Sequence, residues 1–310
     1  MEDADREERG AGSAAHEPVL VDEVLRLLAP RRGGLYVDGT VGLGGHAASV
    51  LEASSPDGRL VGLDRDAESL ALAAHALARF GERVVLIHAD YRQGPDGVRL
   101  PASPLPPYDG VLLDLGLSSM HLMEPERGFS FKAPGPLDMR FDRRAGLSLR
   151  DMLAYVKEGE LADIIYKYGE ERESRRIARN IKEAWSRGEI ETTADLAAVV
   201  GKAVRRWPRS IHPATRTFQA LRIWVNGELD GLGPALRAWS RGLSEGGRLL
   251  VISFHSLEDR IVKQSLRQLV PEGFLLLTPH PVAAGEAERS RNRRARSAKL
   301  RAVERQAVAS

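Results

Sequence analysis

Residues 36–47, YVDGTVGLGGHA, have the types and spacing of a loop that binds a nucleoside-bearing cofactor. The apolar run ends in Asp38, and Gly42-Leu43-Gly44-Gly45-His46-Ala47 fits the G-x-G-x-x-G/A pattern of dinucleotide-binding turns. Such a turn joins a strand to a helix and brings the backbone close to the cofactor. Asp38 repels a pyrophosphate but can accept a hydrogen bond from an ammonium group. The loop therefore suits S-adenosylmethionine better than a dinucleotide.

Three further acids follow apolar runs that are typical of buried strands. Asp64 comes twenty residues after Gly44, where a carboxylate can accept hydrogen bonds from ribose hydroxyls. Asp90-Tyr91 is expected to flank an adenine, with the tyrosine ring against its face. Asp114 ends the fourth run, where cofactor and substrate meet at the carboxyl edge of a sheet. A glycine turn alone is often only a tight connection, but four strand-terminal acids beside it favour a nucleoside cofactor.

The elements that must position these residues alternate between strand and helix patterns. Helical periodicity at 21–29 and 67–80 accompanies five apolar runs suited to parallel strands. This order predicts an α/β, doubly wound, Rossmann-like sheet. The predicted strands are LYVD (35–38), RLVGLD (59–64), VVLIHAD (84–90), GVLLDLG (110–116) and RLLVISF (248–254).

The alternation stops between Ser119 and Arg216, where turn-rich sequence and then helical segments replace strands. A helical insertion explains why the strand pattern returns only at residue 248. Four segments are predicted in chain order. They are a disordered acidic tail (1–15), the first part of the α/β domain (16–118), an inserted helical substrate-recognition domain (119–216) and the second part of the α/β domain with a basic C-terminal segment (217–310).

Composition excludes several classes of site. The 310 residues include no cysteine, which removes disulfides, thiolate metal sites and thiol nucleophiles and fits a reducing cytoplasm. No apolar run approaches the ~20 residues of a membrane span. The histidines lack the spacing of metal ligands, so we expect no dedicated metal site. No pattern indicates an oligomeric state.

Two basic segments predict contact with a polyanion. There is no Asp or Glu between Leu196 and Gly227, and RSRNRRARSAKLR (289–301) is a second dense block. One such run alone is as often a solvated helix face, but two of them favour nucleic acid. His255 lies just beyond the fifth strand, where substrate contact and a structural role are both open. The predicted RNA contacts are Arg205, Arg206, Trp207, Arg209, Arg216, His255, Arg293 and Arg294.

A series of longer motifs resembles one family, the ribosomal RNA small subunit methyltransferase H enzymes. The matching strings occur in the family's order and cover roughly residues 16–305. They are HEPVLVDEVL (16–25), YVDGTVGLGGHA, GLDRDAESL (62–70), VLLDLGLSS (111–119), RGFSF (127–131), GPLDMRFD (135–142), YGEERESRRIAR (168–179), HPATRTFQALRIWVNGEL (212–229), GGRLLVISFHSLEDRIVK (246–263) and RNRRARSAKLRAVER (291–305).

The resemblance implies a class I S-adenosylmethionine-dependent methyltransferase with an inserted helical domain. It implies N4-methylation of a decoding-centre cytidine of 16S rRNA, position 1402 in standard numbering, and a partner in the small ribosomal subunit. Tyr91 stands where the family commonly has Phe, and His121 where Gln is common. The cofactor contacts that it implies are Gly44, Gly45, His46, Asp64, Tyr91, Asp114 and His121.

The residues themselves restrict the methyl acceptor. Methylation of cytosine carbon 5 normally uses a cysteine adduct, which this chain cannot form, so an exocyclic nitrogen and a ribose oxygen remain open. Asp114 is the best candidate for orienting an amino group, and Asp138 is a weaker one. The alternatives are a non-catalytic RNA-binding assembly factor on the same scaffold, an NAD-dependent oxidoreductase and a small-molecule methyltransferase.

Overall fold

The computed structural model describes residues 17–98, 100, 105–204 and 212–307. Within these residues, α-helices alternate with strands at both ends of the chain and follow one another in the middle. The helices are α1 (Val21–Leu28), α2 (Gly45–Ala53), α3 (Ala67–Leu77), α4 (Ser119–Met123), α5 (Leu149–Tyr155), α6 (Glu158–Gly169), α7 (Ser174–Ser186), α8 (Thr193–Ala203), α9 (Thr215–Asn226), α10 (Leu232–Arg241), α11 (Ser256–Leu269) and α12 (Glu286–Arg291).

One twisted sheet organises the α/β part, in the order β3-β2-β1-β4-β5-β7-β6. β1 to β5 run parallel, and β7 is antiparallel to both of its neighbours. The chain order reverses between β1 and β4, which makes this the topological switch point of the sheet. The strands are β1 (Leu35–Asp38), β2 (Arg59–Asp64), β3 (Val84–His88), β4 (Tyr108–Asp114), β5 (Leu243–Ser253), β6 (Phe274–Leu276) and β7 (Lys299–Arg305).

Both faces of the sheet are covered, so its central strands are apolar on both sides. On one face, α1, α2 and α3 pack Leu28, Leu51 and Leu77 against the sheet. On the other, α10 and α11 pack residues such as Leu236 and Trp239. This double coverage explains why the strands are near-continuous apolar runs rather than alternating ones.

The middle of the chain has a hydrophobic core of its own. Its buried members run from Phe129 to Leu221, come mainly from α5 to α9, and include Ile165, Ile181 and Leu196. Two of its helices, α5 and α8, begin at side-chain caps. Thr192, for example, accepts a hydrogen bond from the backbone N–H of Asp195, and the Asp195 carboxylate accepts one from the N–H of Thr192.

The predicted fold class is confirmed, and the first five strands lie where the apolar runs placed them. The sequence analysis missed β6 and β7. β7 begins at the end of the basic segment, where Arg301 is buried and pairs with Asp259 (2.7 Å). A strand this rich in Lys and Arg does not show the apolar pattern of a central strand. Ion pairs satisfy its charges, so it can still join the sheet.

Two sequence predictions concern residues that the structure does not cover. The acidic tail 1–15 and the basic residues Arg205, Arg206, Trp207 and Arg209 lie outside the described residues. Within the described ranges, no helix combines the length and apolar character needed to cross a membrane.

Gly44 starts α2 in a left-handed conformation, with φ of 87°. A Cβ there meets the Leu77 side chain at 3.1 Å, so Gly44→Ala combines backbone strain with a close contact. We expect it to lower the free energy of unfolding by about 1–3 kcal/mol in urea denaturation. Gly159→Ala is the control, because a Cβ in that helical position meets nothing within 4 Å. Equal stability of Gly44→Ala and wild type contradicts the prediction.

Candidate functional site

A cavity opens at the carboxyl edge of the sheet, at the switch point between β1 and β4. It encloses about 940 Å³ of non-protein space, including solvent at its mouth. The loop after β1, the ends of β2 and β4 and the segment after β3 all contribute to its walls. This is the position at which open α/β sheets bind their ligands.

The structure brings most of the predicted cofactor residues together in this cavity. Gly45, His46, Asp64 and Asp114 line it, as do Tyr91 and His121. Gly44 does not line the cavity; it caps α2 and faces Leu77.

Asp64 fixes the shape of the glycine loop while it faces the cavity. One carboxylate oxygen accepts the N–H of Gly42 (2.8 Å), and the other accepts the N–H of Asp66 (2.8 Å). Burial raises the pKa of Asp64, and these two N–H groups oppose that rise. Each oxygen keeps a second lone pair, so the carboxylate can still accept hydrogen bonds from a ligand hydroxyl.

Asp114 ends β4 at the carboxyl edge of the sheet and lines the cavity. Its backbone N–H donates to Thr40 Oγ1 (2.7 Å), which ties the end of β4 to the loop after β1. Oδ2 is 3.8 Å from His46 Nε2 and 3.8 Å from an Arg294 guanidinium nitrogen. Burial raises the pKa of Asp114 to about 6, with the charge of Arg294 lowering it and that of Glu258 raising it. A carboxyl group in this range can exchange a proton near neutral pH.

Asp90 and Tyr91 follow β3 in a rigid turn. Arg92 Nε donates to both carboxylate oxygens of Asp90, at 3.0 and 2.9 Å, and holds its pKa below the ordinary value despite burial. The backbone carbonyl of Tyr91 accepts a hydrogen bond from Trp239 Nε1 (2.8 Å). Opposite, the Arg65 guanidinium lies 4.2 Å from the centre of the Phe141 ring. Aromatic and planar groups thus line this end of the cavity.

His121 contacts the cavity from a buried polar network. Its Nε2 is 2.8 Å from Asp66 Oδ2, and its Nδ1 accepts the N–H of Ser118 (3.2 Å). The Arg127 guanidinium, 1% exposed, donates to the same Asp66 oxygen at 3.0 Å. These contacts hold the pKa of Asp66 well below its ordinary value although burial opposes them. Both ring nitrogens of His121 have protein partners, so the expectation that it contacts the cofactor stays a prediction.

The predicted RNA contacts fall in different places. Arg294 lies in the cavity wall, with its guanidinium 5.0 Å from the centre of the Phe254 ring. His255 caps α11 and contacts Glu258. Arg293 and Arg216 are exposed, and Arg216 donates to the carbonyl of Glu170 (3.3 Å). Asp138, the weaker catalytic candidate, does not line the cavity and pairs with Arg140 (2.7 Å).

The sequence analysis did not single out several residues of the site. Asn226, at the end of α9, holds the Phe141 loop through the N–H of Phe141 (2.9 Å) and the carbonyl of Met139 (2.7 Å). The only sequence signal was their position in long motifs, because their roles depend on contacts between distant segments. The cavity-lining residues that were not singled out are Pro18, Arg65, Arg92, Ser118, Phe141, Glu228 and Glu258.

The carboxylates that line the cavity fit S-adenosylmethionine better than a dinucleotide. Five carboxylates line the cavity, from Asp64, Asp90, Asp114, Glu228 and Glu258. Carboxylates attract an ammonium or sulfonium group and repel a pyrophosphate. Asp114 Oδ1 is buried and has no hydrogen-bond partner among the described residues, which suits a ligand that brings a donor or a positive charge. The described residues hold no group of three or more His, Asp or Glu that could bind a metal.

Asp64→Asn is expected to weaken S-adenosylmethionine binding about 10–100-fold, because it removes a charged acceptor and disturbs the Gly42 loop. Titration calorimetry measures the dissociation constant directly. Asp57→Asn is the matched control, since Asp57 accepts the N–H of Gly33 (2.9 Å) and does not line the cavity. If both variants bind like wild type, Asp64 does not hold the cofactor.

Known proteins resemble this chain along almost its whole length. The model of the MraW methylase family matches residues 13–306. "Ribosomal RNA small subunit methyltransferase H" of Sorangium cellulosum is 52% identical over 293 residues, covering 94% of this chain and 90% of the relative. The protein of that name from Geotalea uraniireducens is 49% identical over 307 residues, covering 93% and 98%.

Among solved structures, TrmN from Thermus thermophilus aligns with a TM-score of 0.44 and 15% identity, covering 92% of this chain and 48% of that chain. A likeness this distant carries no argument about function. The family match and the cavity agree with the sequence expectations of a Rossmann-like methyltransferase fold and S-adenosylmethionine as cofactor, and both are confirmed. This chain belongs to the MraW methylase family.

Proposed function

We propose that this protein methylates the exocyclic N4 of a decoding-centre cytidine in 16S rRNA, at position 1402 in standard numbering. The relatives from Sorangium cellulosum and Geotalea uraniireducens are named as ribosomal RNA small subunit methyltransferases, which supports this class of substrate. Because the proposed substrate is a ribosomal particle, we place the reaction in the cytoplasm.

The placement of Asp114 is the observation that carries the proposal. Its carboxylate lies at the end of β4, at the cavity wall, with a pKa raised to about 6 by burial. S-adenosylmethionine supplies, when bound, an electrophilic methyl carbon attached to a positively charged sulfur. The amino group that gains this methyl group must lose one proton. Asp114 holds the amino group by accepting a hydrogen bond from it and then takes that proton.

The remaining residues position the reactants. We propose that Asp64 binds the ribose of the cofactor, that Tyr91 packs against its adenine, and that Gly45 and His46 contact its methionine end. Positioning matters most in this reaction, because methyl transfer is an in-line displacement that needs no covalent enzyme intermediate. The absence of cysteine from the sequence argues against methylation at carbon 5 of cytosine.

We propose that the helical domain predicted at 119–216 forms the far wall of the RNA-binding cleft. Exposed Arg216 and Arg293 are suited to bind phosphates, and Arg294 can reach the target nucleotide from the cavity wall. Arg205, Arg206, Trp207 and Arg209 remain proposed RNA contacts on sequence grounds, as does His255. A target base buried in helical rRNA cannot reach Asp114, so a flipped or single-stranded cytidine is the expected substrate.

The test uses S-adenosylmethionine labelled in its methyl group, purified protein and small ribosomal subunits that lack the modification. We expect one methyl group per subunit, in 16S rRNA, at a single cytidine located by nuclease mapping. Label at another nucleotide would retain the methyltransferase and reject the target. Cofactor binding without any label on subunits or on naked rRNA rejects the proposed activity and favours the assembly-factor alternative.

A further inference from the structure

Three charged side chains meet where the end of α9 and the start of α11 reach the cofactor cavity. Glu228 and Glu258 line the cavity, and Arg222 Nε donates to Glu228 Oε1 at 2.8 Å. The side chains of Glu258, Glu228 and Arg222 are only 3%, 8% and 14% exposed. Taking three charges out of water costs several kcal/mol per ion unless each is paired or bound.

Glu258 is held ionised by its surroundings. Its Oε2 accepts the N–H of Phe254 (2.8 Å), and its Oε1 is 3.1 Å from His255 Nε2. Burial alone raises the pKa of a carboxyl group, but the interaction with His255, the charge of Arg222 and the N–H of Phe254 bring that of Glu258 below its ordinary value. A fixed negative charge therefore faces the cavity.

Glu258 and Asp114 both line the cavity, near the ends of the neighbouring strands β5 and β4. Asp114 ends β4, and Glu258 lies in the first turn of α11, directly after β5. The charge of Glu258 contributes to the raised pKa of Asp114. Two carboxyl groups whose environments push their pKa values apart are typical of a site that assigns them different roles.

Arg222 pairs with Glu228 and does not itself line the cavity. Its Nη2 is buried and, among the described residues, has no hydrogen-bond partner. A buried charged donor without a partner is costly, so it usually receives a ligand or an ordered water when the protein functions. The ribose and adenine positions of the cavity lie at Asp64 and Tyr91, after β2 and β3, which leaves the side after β5 for the methyl acceptor.

We propose that Glu258 reads the amino group of the target base, with the Arg222–Glu228 ion pair beside it. This inference rests on the proposed function and deepens it. The cytosine edge presents an amino group, then the ring nitrogen N3 and the carbonyl O2, both acceptors. Glu258 accepts one amino N–H, and the second amino N–H faces Asp114. Glu258 is thus a positioning residue.

The same geometry excludes uracil. Uracil has a carbonyl oxygen where cytosine has the amino group, and that oxygen faces the negative charge of Glu258. A site built to bind a polar edge rejects the base that leaves its buried groups unpaired.

The first test compares Glu258→Gln with Glu170→Gln, which removes a carboxylate that bonds Ser256 and Arg260 of the same helix from outside the cavity. Glu258→Gln is expected to lower kcat about 10–100-fold while leaving the dissociation constant of S-adenosylmethionine unchanged. It should also move the acidic limb of the pH–rate profile to lower pH, because the Asp114 carboxyl loses a negative neighbour. A shift of that limb reports the charge of Glu258 near Asp114, and the base preference in the second test reports its contact with the base.

The second test needs no turnover. Cytidine and uridine monophosphates are titrated into the protein in the presence of S-adenosylhomocysteine. Wild type is expected to prefer the cytidine nucleotide by about tenfold or more, and Glu258→Gln to lose that preference. Equal binding of the two nucleotides by wild type overturns this role of Glu258, as does Glu258→Gln with wild-type kcat and an unshifted limb. Failure of wild type to methylate any cytidine instead overturns the proposed function, so the two failures are distinguishable.

Discussion

Asp114→Asn is expected to lower kcat by about 10²–10⁴-fold, the range in which a positioned general base contributes to catalysis. Asparagine keeps the size of the side chain and can hydrogen-bond an amino group, but it cannot accept the proton that methylation releases. The dissociation constant of S-adenosylmethionine is expected to change only severalfold. Single-turnover transfer of labelled methyl groups to small subunits separates the two effects.

The pH dependence follows from the same carboxyl group. Burial raises the pKa of Asp114 to about 6, so the base is protonated below that pH and ionised above it. The value of kcat/KM is therefore expected to rise about tenfold per pH unit up to about pH 6 and then level off. Asp114→Asn should lack this limb.

Asp109→Asn is the control for Asp114→Asn, because Asp109 lies near the opposite end of the same strand and accepts the N–H of Leu35 (2.8 Å). Its activity should stay close to wild type. A kcat for Asp114→Asn within threefold of the control, with the acidic limb intact, contradicts the assignment of Asp114 as the base.

Arg127→Met is expected to give the largest loss of stability, about 3–5 kcal/mol in the free energy of unfolding. The guanidinium is 1% exposed and binds Asp66 (3.0 Å), Glu68 (2.6 Å) and the carbonyl of Phe141 (2.8 Å). Methionine fills much of the volume but leaves the buried Asp66 carboxylate without its cationic partner. Urea denaturation monitored by fluorescence and by circular dichroism measures the change.

The control for Arg127→Met is Arg79→Met, which breaks an exposed ion pair with Glu52 and should cost at most about 1 kcal/mol. Cofactor affinity offers a second readout, since Asp66 also binds His121 at the cavity wall. If Arg127→Met unfolds at the same urea concentration as the control variant, the buried network does not stabilise the fold.

Much of the fold could be predicted from local pattern. Parallel strands buried on both faces appear as apolar runs, and in four cases an acid at or just after the run marks the carboxyl edge. Because those ends converge at the switch point of the sheet, Asp64, Tyr91 and Asp114 could be placed in one site before any coordinates. β7 could not be predicted, since Arg301 has the charge of a surface residue and becomes buried only by pairing with Asp259.

The charged residues near the start of α11 could not be predicted as part of the site either. Arg222, Glu228 and Glu258 come together only when α9 and α11 pack beside the cavity, and nothing in their spacing indicates this. The position of the Arg294 side chain could not be predicted from its sequence neighbours either. Its basic segment predicted contact with RNA, but not that its side chain lies beside Asp114 in the cavity wall. Charge density predicts the partner of a segment better than the direction of each side chain.

The proposed reaction of this protein is the transfer of a methyl group to the amino nitrogen of a cytidine. It is tested most directly by digesting the methylated 16S rRNA to nucleosides and identifying the labelled one by chromatography and mass spectrometry. We predict N4-methylcytidine from wild type and almost none from Asp114→Asn. Label in 5-methylcytidine or in a 2′-O-methyl nucleoside would contradict the account.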